Sequence, residues 1–205
     1  MATLYDIKPW FQSILRPKVA DLAAHGITAN EVTLAALAMS CGVGALVWLF
    51  PNSTLVLLLL VIALGVRMAL NAVDGLLARE HGQASPLGAL LNEVCDLASD
   101  AALYMPLALV AGVPSALVLI AAALGLVVEG AGLAALLIGA PRGYQGPMGK
   151  SDRAFAFGLL AFLLAIGLAG SLLSTVLLLA IIALALWTIR NRIMTALEHA
   201  GATNR

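Results

Sequence analysis

Charge is what this chain has least of. Asp, Glu, Lys and Arg make up 11% of its 205 residues, and the 11 basic side chains are matched by 11 acidic ones. An ordinary soluble domain is about one-quarter charged. So sparse and balanced a charge excludes the basic surface that phosphate-backbone binding needs, and no nucleic-acid partner is expected. Aromatic residues, at 5%, are too few for base-stacking platforms. The two cysteines, Cys41 and Cys95, both fall inside apolar runs, which excludes a disulfide framework and reads as two buried free thiols. What the chain has instead is apolar surface: 62% of its residues are hydrophobic. A water-soluble fold of this size could not hide so much, so the composition predicts an all-α, polytopic integral membrane protein.

Six stretches are long and apolar enough to span a bilayer, over 31–50, 54–79, 86–112, 115–140, 152–169 and 171–195. The breaks between them carry turn chemistry at Pro51-Asn52-Ser53, at Gly112-Val113-Pro114, and at Gly167 with Gly170. Thr28 and Glu31 have the spacing of a capping box, and Ser85-Pro86 reads as an N-cap followed by proline at the first helical position. Residues 1–25 form a separate segment in which Leu4, Ile7, Phe11, Leu15, Val19 and Leu22 recur at helical spacing with charges between them. That pattern predicts an amphipathic helix lying in the membrane interface, bent or broken by Pro9 and Pro17. Residues 26–205 form the six-helix membrane domain.

Lys8, Arg16, Lys18, Arg79, Arg142, Lys150, Arg153, Arg190, Arg192 and Arg205 all fall on one side of a six-span topology, while the opposite loops carry no charge. The positive-inside rule places that side, with both termini, in the cytoplasm. Trp48 and Trp187 sit near span ends as interface anchors, and His25, His81 and His199 read as solvated.

Against this apolar background one polar cluster stands out. Asn71, Asp74, Gly75, Ala78 and Arg79 close the second span; Gly88, Asn92, Glu93, Asp96 and Asp100 open the third. Asn71, Asp74 and Ala78 share one helix face, and Asn92, Asp96 and Asp100 share another. A short loop joins the two helices, so the stripes can face each other. Oxygen donors converging near a membrane surface suit a hard cation such as Mg²⁺ or Mn²⁺. Gly75 and Gly88 remove side chains where a ligand could approach. Interhelical hydrogen bonding with small-residue packing is the plainer alternative.

These residues resemble the signature of the CDP-alcohol phosphatidyltransferase family, D-x2-D-G-x2-A-R-x8-G-x3-D-x3-D. Asp74, Gly75, Ala78, Arg79, Gly88 and Asp96 stand at signature positions with every gap intact, and the first and third aspartates are Asn71 and Asn92. Gly26 to Asn30 and Thr33 resemble the stretch that precedes the family's first span. The resemblance implies transfer of a phosphatidyl group from a CDP-linked lipid to a hydroxyl acceptor with release of CMP, in phospholipid biosynthesis. It implies a homodimer in a prokaryotic cytoplasmic (inner) membrane with the site facing the cytoplasm. It assigns Asp74 and Asp96 to the metal, with Asp96 also the general base, and Asn71 and Asn92 as weaker carbonyl ligands. Gly75, Ala78, Arg79 and Gly88 then border the nucleotide and its phosphates. Asp100, one turn beyond Asp96, is a further candidate ligand on geometry alone. A transporter or non-catalytic lipid-binding protein on the same fold is the alternative.

Two further groups carry charge. Lys150 and Arg153 open the fifth span, where a helix N-terminus with two cations can hold a phosphorylated acceptor or an anionic headgroup; topology-setting charge is the plainer reading. Arg67, Glu129 and Asp100 lie roughly 16–21 Å from the same membrane face by helix rise. Their matched depth predicts an ion-paired layer beneath the cation site.

Overall fold

The computed structural model describes residues 4–203, with side chains from 11 to 202. Arg205 and the side chains of Leu4, Ile7, Lys8 and Pro9 lie outside the described residues. Among the described residues seven α-helices follow one another: α1 (Leu4–Ala24), α2 (Ala29–Leu49), α3 (Thr54–Glu80), α4 (Pro86–Tyr104), α5 (Ser115–Ala134), α6 (Lys150–Ala165) and α7 (Ser171–Thr203). There is no strand among the described residues.

The helix starts follow from local chemistry. Thr28 Oγ1 accepts from the Glu31 main-chain N–H at 3.2 Å, while the Thr28 N–H donates to Glu31 Oε2 at 2.8 Å. Two otherwise orphaned donors are thereby satisfied at the head of α2. Ser85 Oγ accepts from the Gly88 N–H at 3.0 Å, with Pro86 opening α4. The expected span 86–112 is α-helical only to Tyr104 and tightens into a 3-10 turn, Met105–Leu109. Pro106 lacks the N–H that would continue the α-ladder. α5 likewise ends in a 3-10 turn, Ala135–Ile138, closed by Gly139 at φ 74°.

All six expected spans exist as helices, but among the described residues only α2, α3, α5 and α7 are long and apolar enough to cross a bilayer on their own composition. The other two are the charge-bearing helices. α4 carries Glu93, Asp96 and Asp100, and α6 has 16 residues opening on Lys150, Asp152 and Arg153. α4 packs against α2 and α5, and α6 against α3 and α7, so their polar residues are satisfied by protein rather than by lipid. Leu55, Leu90 and Leu172 are each more than 60% exposed, as expected of surface that meets acyl chains. The chain is an integral membrane protein.

Packing in lipid relies on close approach of backbones more than on water exclusion. A Cβ built on Gly44 of α2 would collide with the main-chain carbonyl of Ala102 in α4, whereas one on Gly42 meets nothing within 4 Å. Gly44→Ala should therefore destabilise the bundle by an overpacking cost of about 2 kcal/mol and lower its thermal midpoint in detergent, while Gly42→Ala should not. Equal midpoints would mean that α2 and α4 separate without loss. Nearby, the Tyr104 ring stacks on Phe157 at 4.1 Å between centroids, joining α4 to α6 in the main apolar core.

α1 is one continuous helix, so the expected break at the prolines does not occur. Pro17 lies on its exposed side, where water can replace the hydrogen bond its ring removes. Val19 is fully buried, and with Leu15 and Leu22 it packs on Val73, Leu76 and Leu77 of α3. Arg16 adds a forked pair to Glu80, its Nε and Nη2 lying 3.1–3.2 Å from the carboxylate oxygens. The amphipathic helix is thus docked on the end of α3 that carries the polar cluster.

Candidate active site

The cluster is built where α3 ends and α4 begins. Gln83 in the joining loop receives the Ala29 N–H at 2.7 Å and donates to the Ile27 carbonyl at 3.3 Å, tying the turn to the head of α2. That brings Thr33 over α3, where its hydroxyl donates to Asp74 Oδ2 at 3.0 Å. Asp74 is buried and lies within Coulombic reach of Asp96 and Lys150. Asp96 is enclosed by donors: the Lys150 ammonium and the Asn92 amide (3.4 Å) meet Oδ2, and Arg67 Nη2 lies 3.5 Å from Oδ1 and 2.9 Å from the main-chain carbonyl. Asn71 lies within a turn of Asp74, its amide nitrogen buried without a hydrogen-bond partner among the described residues. Asp74 and Asp96, one from each stripe, are thus brought within Coulombic reach of each other.

The two glycines act through space. A Cβ on Gly75 would lie 3.0 Å from the Arg79 guanidinium, which folds back across that position. A Cβ on Gly88 would lie 2.9 Å from Asn30 Oδ1. Ala78 packs with the α1–α3 apolar cluster.

Beneath this pocket lies the expected ion-paired layer, with a different membership. Arg67 Nη1 meets Asp100 Oδ1 at 2.6 Å, but Arg67 does not reach Glu129. Arg153 makes the bridge, with Nη2 at 2.8 Å from Asp100 Oδ2 and Nη1 at 2.9 Å from Glu129 Oε1. Of the two cations expected to hold an anion at the head of α6, Arg153 is drawn into this layer. Arg153 is buried in the layer because Gly125 of α5 leaves room for its side chain to pass, where a Cβ would come within 2.9 Å of its Cδ. Lys150, one turn earlier, turns to Asp96 instead. Asp100 is also removed from the ligand set, since both its oxygens face guanidinium groups.

Three contributors were not foreseen. Arg192 of α7, expected only as one of the charges on the cytoplasmic side, is buried, with Nη1 2.6 Å from the Val128 carbonyl and 3.3 Å from Glu129 Oε2. Gly132 leaves the space it enters. Arg142, from the loop between α5 and α6, pairs with Glu93 and reaches Glu129 at 3.4 Å, its guanidinium 5.1 Å from the Tyr144 ring centre. Burial lowers the pKa of Arg142 from its ordinary value, with Tyr144 opposing and Arg192 adding to the shift. Thr33 is the third; its sequence signal was its place in the stretch before the first span.

The donor set suits a hard divalent ion of a particular kind. No group of three or more His, Cys, Asp or Glu converges among the described residues, which disfavours an all-protein cage. Mg²⁺ commonly takes one or two carboxylates and completes its shell with water and substrate phosphates. Asp74 and Asp96, with the amide oxygens of Asn71 and Asn92, fit that second arrangement.

Beside the pocket an apolar groove of about 380 Å³ runs between α3 and α6, lined by Leu64, Met68, Ser151, Phe155 and Phe162. Phe155 is 70% exposed, so the groove opens sideways to lipid. Its upper lining residue, Ser151, adjoins Lys150.

Residues 27–196 match the family model described as CDP-alcohol phosphatidyltransferase. The chain is 49% identical over 164 residues to the inner membrane protein YnbA of Escherichia coli, covering 80% of this chain and 81% of that protein. It is 31% identical over 104 residues to phosphatidylinositol phosphate synthase of Corynebacterium glutamicum, covering 51% of this chain and 45% of that protein. In fold it resembles the crystal structure of Mycobacterium tuberculosis phosphatidylinositol phosphate synthase with CDP-DAG bound. That match has a TM-score of 0.75 at 20% identity, covering 90% of this chain and 94% of that one. The same enzyme in complex with manganese and citrate matches with a TM-score of 0.74 at 20% identity, over 88% of this chain and 87% of that one.

Proposed function

Because the chain belongs to the CDP-alcohol phosphatidyltransferase family, we propose that it moves a phosphatidyl group from CDP-diacylglycerol, or a related CDP-linked lipid, to an acceptor alcohol. The observation that carries this reading is one of adjacency. A buried carboxylate, Asp74 of α3, and a partly buried one, Asp96 of α4, lie within Coulombic reach of each other, next to an apolar groove open to the bilayer. One amphipathic donor needs both: a polar place for its pyrophosphate and an apolar one for its acyl chains. The M. tuberculosis enzyme of the same fold has been crystallised with CDP-DAG and with manganese, which supports a CDP-lipid donor and a divalent cation here.

In the proposed reaction the acceptor oxygen attacks the phosphorus that bears the diacylglycerol. The bond from that phosphorus to the bridging oxygen breaks, and CMP leaves with the electron pair. Asp96 takes the acceptor proton, with Lys150 and Arg67 fixing the orientation of its carboxylate. Asp74 holds the cation side of the site, oriented by the Thr33 hydroxyl. Arg79 faces the phosphate oxygens from across Gly75. Bound Mg²⁺ or Mn²⁺ would supply neutralisation of the pyrophosphate charge. The site is proposed to face the cytoplasm, with α1 lying in that interface and the chain acting as a homodimer. Arg67 and Glu129, which in isolation would suit a transporter, are bound to Asp100 and to Arg153, leaving the charged layer closed.

The test is direct. Purified protein in vesicles containing CDP-diacylglycerol, with Mn²⁺ and a pool of alcohols, should release CMP. No release above protein-free vesicles with any acceptor would turn the reading towards a non-catalytic lipid-binding protein.

A further inference from the structure

We propose that this site works with a single divalent cation, and that the ammonium of Lys150 supplies the positive charge a second cation would bring; the inference rests on the transferase reading above. The argument starts from the supply of negative charge. Hard cations are held mainly by carboxylates, and two of them placed side by side, roughly 3.5–4 Å apart, need anionic groups between them to offset their repulsion. The α3–α4 pocket offers two acids, and their neighbours one turn earlier on the same stripes are the neutral amides Asn71 and Asn92.

Of the two acids, Asp96 is already engaged. Its Oδ2 meets Lys150 and the Asn92 amide N–H, and its Oδ1 lies 3.5 Å from Arg67. Asp100, which could have added a charge, is neutralised by Arg67 and Arg153 at 2.6 and 2.8 Å. Glu93, the remaining acid at the head of α4, is paired with Arg142. Among the described residues Asp74 is left as the acid of this pocket with no guanidinium or ammonium in direct contact, its Oδ2 receiving the Thr33 hydroxyl. One cation on the Asp74 side, with Asn71 as its amide-oxygen neighbour, uses this supply fully. A second would have to share Asp96 with an ammonium.

The placement of Lys150 is structural rather than incidental. The Gly149 N–H donates to Asp152 Oδ2 at 2.9 Å, and the Met148 N–H donates to Thr188 Oγ1 at the same distance. The start of α6 is thereby fixed against α7, and the next residue, Lys150, is aimed at Asp96. An ammonium held there can meet phosphate oxygens as a metal ion would, though as a point charge without Lewis acidity.

The experiment counts manganese. Protein in nanodiscs containing CDP-diacylglycerol is titrated with Mn²⁺, and bound ion is read by electron paramagnetic resonance against protein-free nanodiscs of the same composition. One ion per chain is expected. Lys150→Gln should bind manganese about tenfold more tightly, since it removes a like charge beside the site. The double variant Asn71→Asp with Asn92→Asp should bind a second ion. Each variant is first checked for the wild-type thermal midpoint, and Lys150→Arg serves in place of a variant that fails to fold, with wild-type stoichiometry expected. Two ions on the wild-type chain, or an unchanged affinity in folded Lys150→Gln, overturns the single-cation inference alone. No bound manganese above the protein-free control overturns the transferase reading as well.

Discussion

Asp96→Asn is expected to reduce CMP release by about a thousandfold, within the range lost when a positioned general base is removed, while the protein keeps its fold. The amide has the shape of the carboxylate. The Arg67 contact to the main-chain carbonyl, at 2.9 Å, does not involve the side chain at all. What the amide lacks is the ability to take the acceptor proton and the negative charge that holds Lys150. Asp74→Ala should be as damaging by a different route, since it removes the acid that the Thr33 hydroxyl orients and with it the grip on the cation. The two are separated by raising Mn²⁺: a ligand defect is partly recovered by mass action, a missing base is not. CMP release measured across a manganese series in both variants reads this difference. Near-normal turnover in Asp96→Asn at any metal concentration would remove Asp96 from the chemistry.

How much of this was legible in the sequence depended on the range of the interaction. The helices were readable because each is encoded locally: apolar runs of bilayer length, the Thr28–Glu31 box, and Ser85 before Pro86. The nearness of the polar ends of α3 and α4 was readable too, since the loop joining the two helices has only five residues. The ion-paired layer was readable only as a depth. Arg67, Asp100 and Glu129 lie at one level, but which cation joins Asp100 to Glu129 depends on the side-chain space that Gly125 leaves on a different helix. Arg192 was missed for the same reason. It follows the polar pair Arg190-Asn191, and its burial comes from Gly132, some sixty residues away. Span count also depended on packing. α4 and α6 are too polar or too short by composition, and are sheltered by α2, α5, α3 and α7.

Arg153→Met is expected to be among the most destabilising single changes at this end of the bundle. Arg153 is 1% exposed and joins two buried acids, Asp100 and Glu129, from α4 and α5 to α6. Methionine fills much of the volume but leaves Asp100 with Arg67 alone, and Glu129 with the longer contacts to Arg192 and Arg142 at 3.3 and 3.4 Å. Breaking a buried pair by removing one partner costs about 3–5 kcal/mol, because the remaining charge stays desolvated. Arg153→Lys should fall between, since an ammonium cannot make the forked contact to Asp100, through Nε and Nη2, and reach Glu129 as well. Arg16→Met, which removes an exposed pair to Glu80, should cost less than about 1 kcal/mol. Thermal unfolding of the three variants in one detergent ranks them. If Arg153→Met melts with the wild type, the layer does not hold α4, α5 and α6 together. If Asp100→Asn combined with Glu129→Gln rescues Arg153→Met, the cost lay in the unpaired charges rather than in lost packing, because the double amide removes the charges while keeping the shapes.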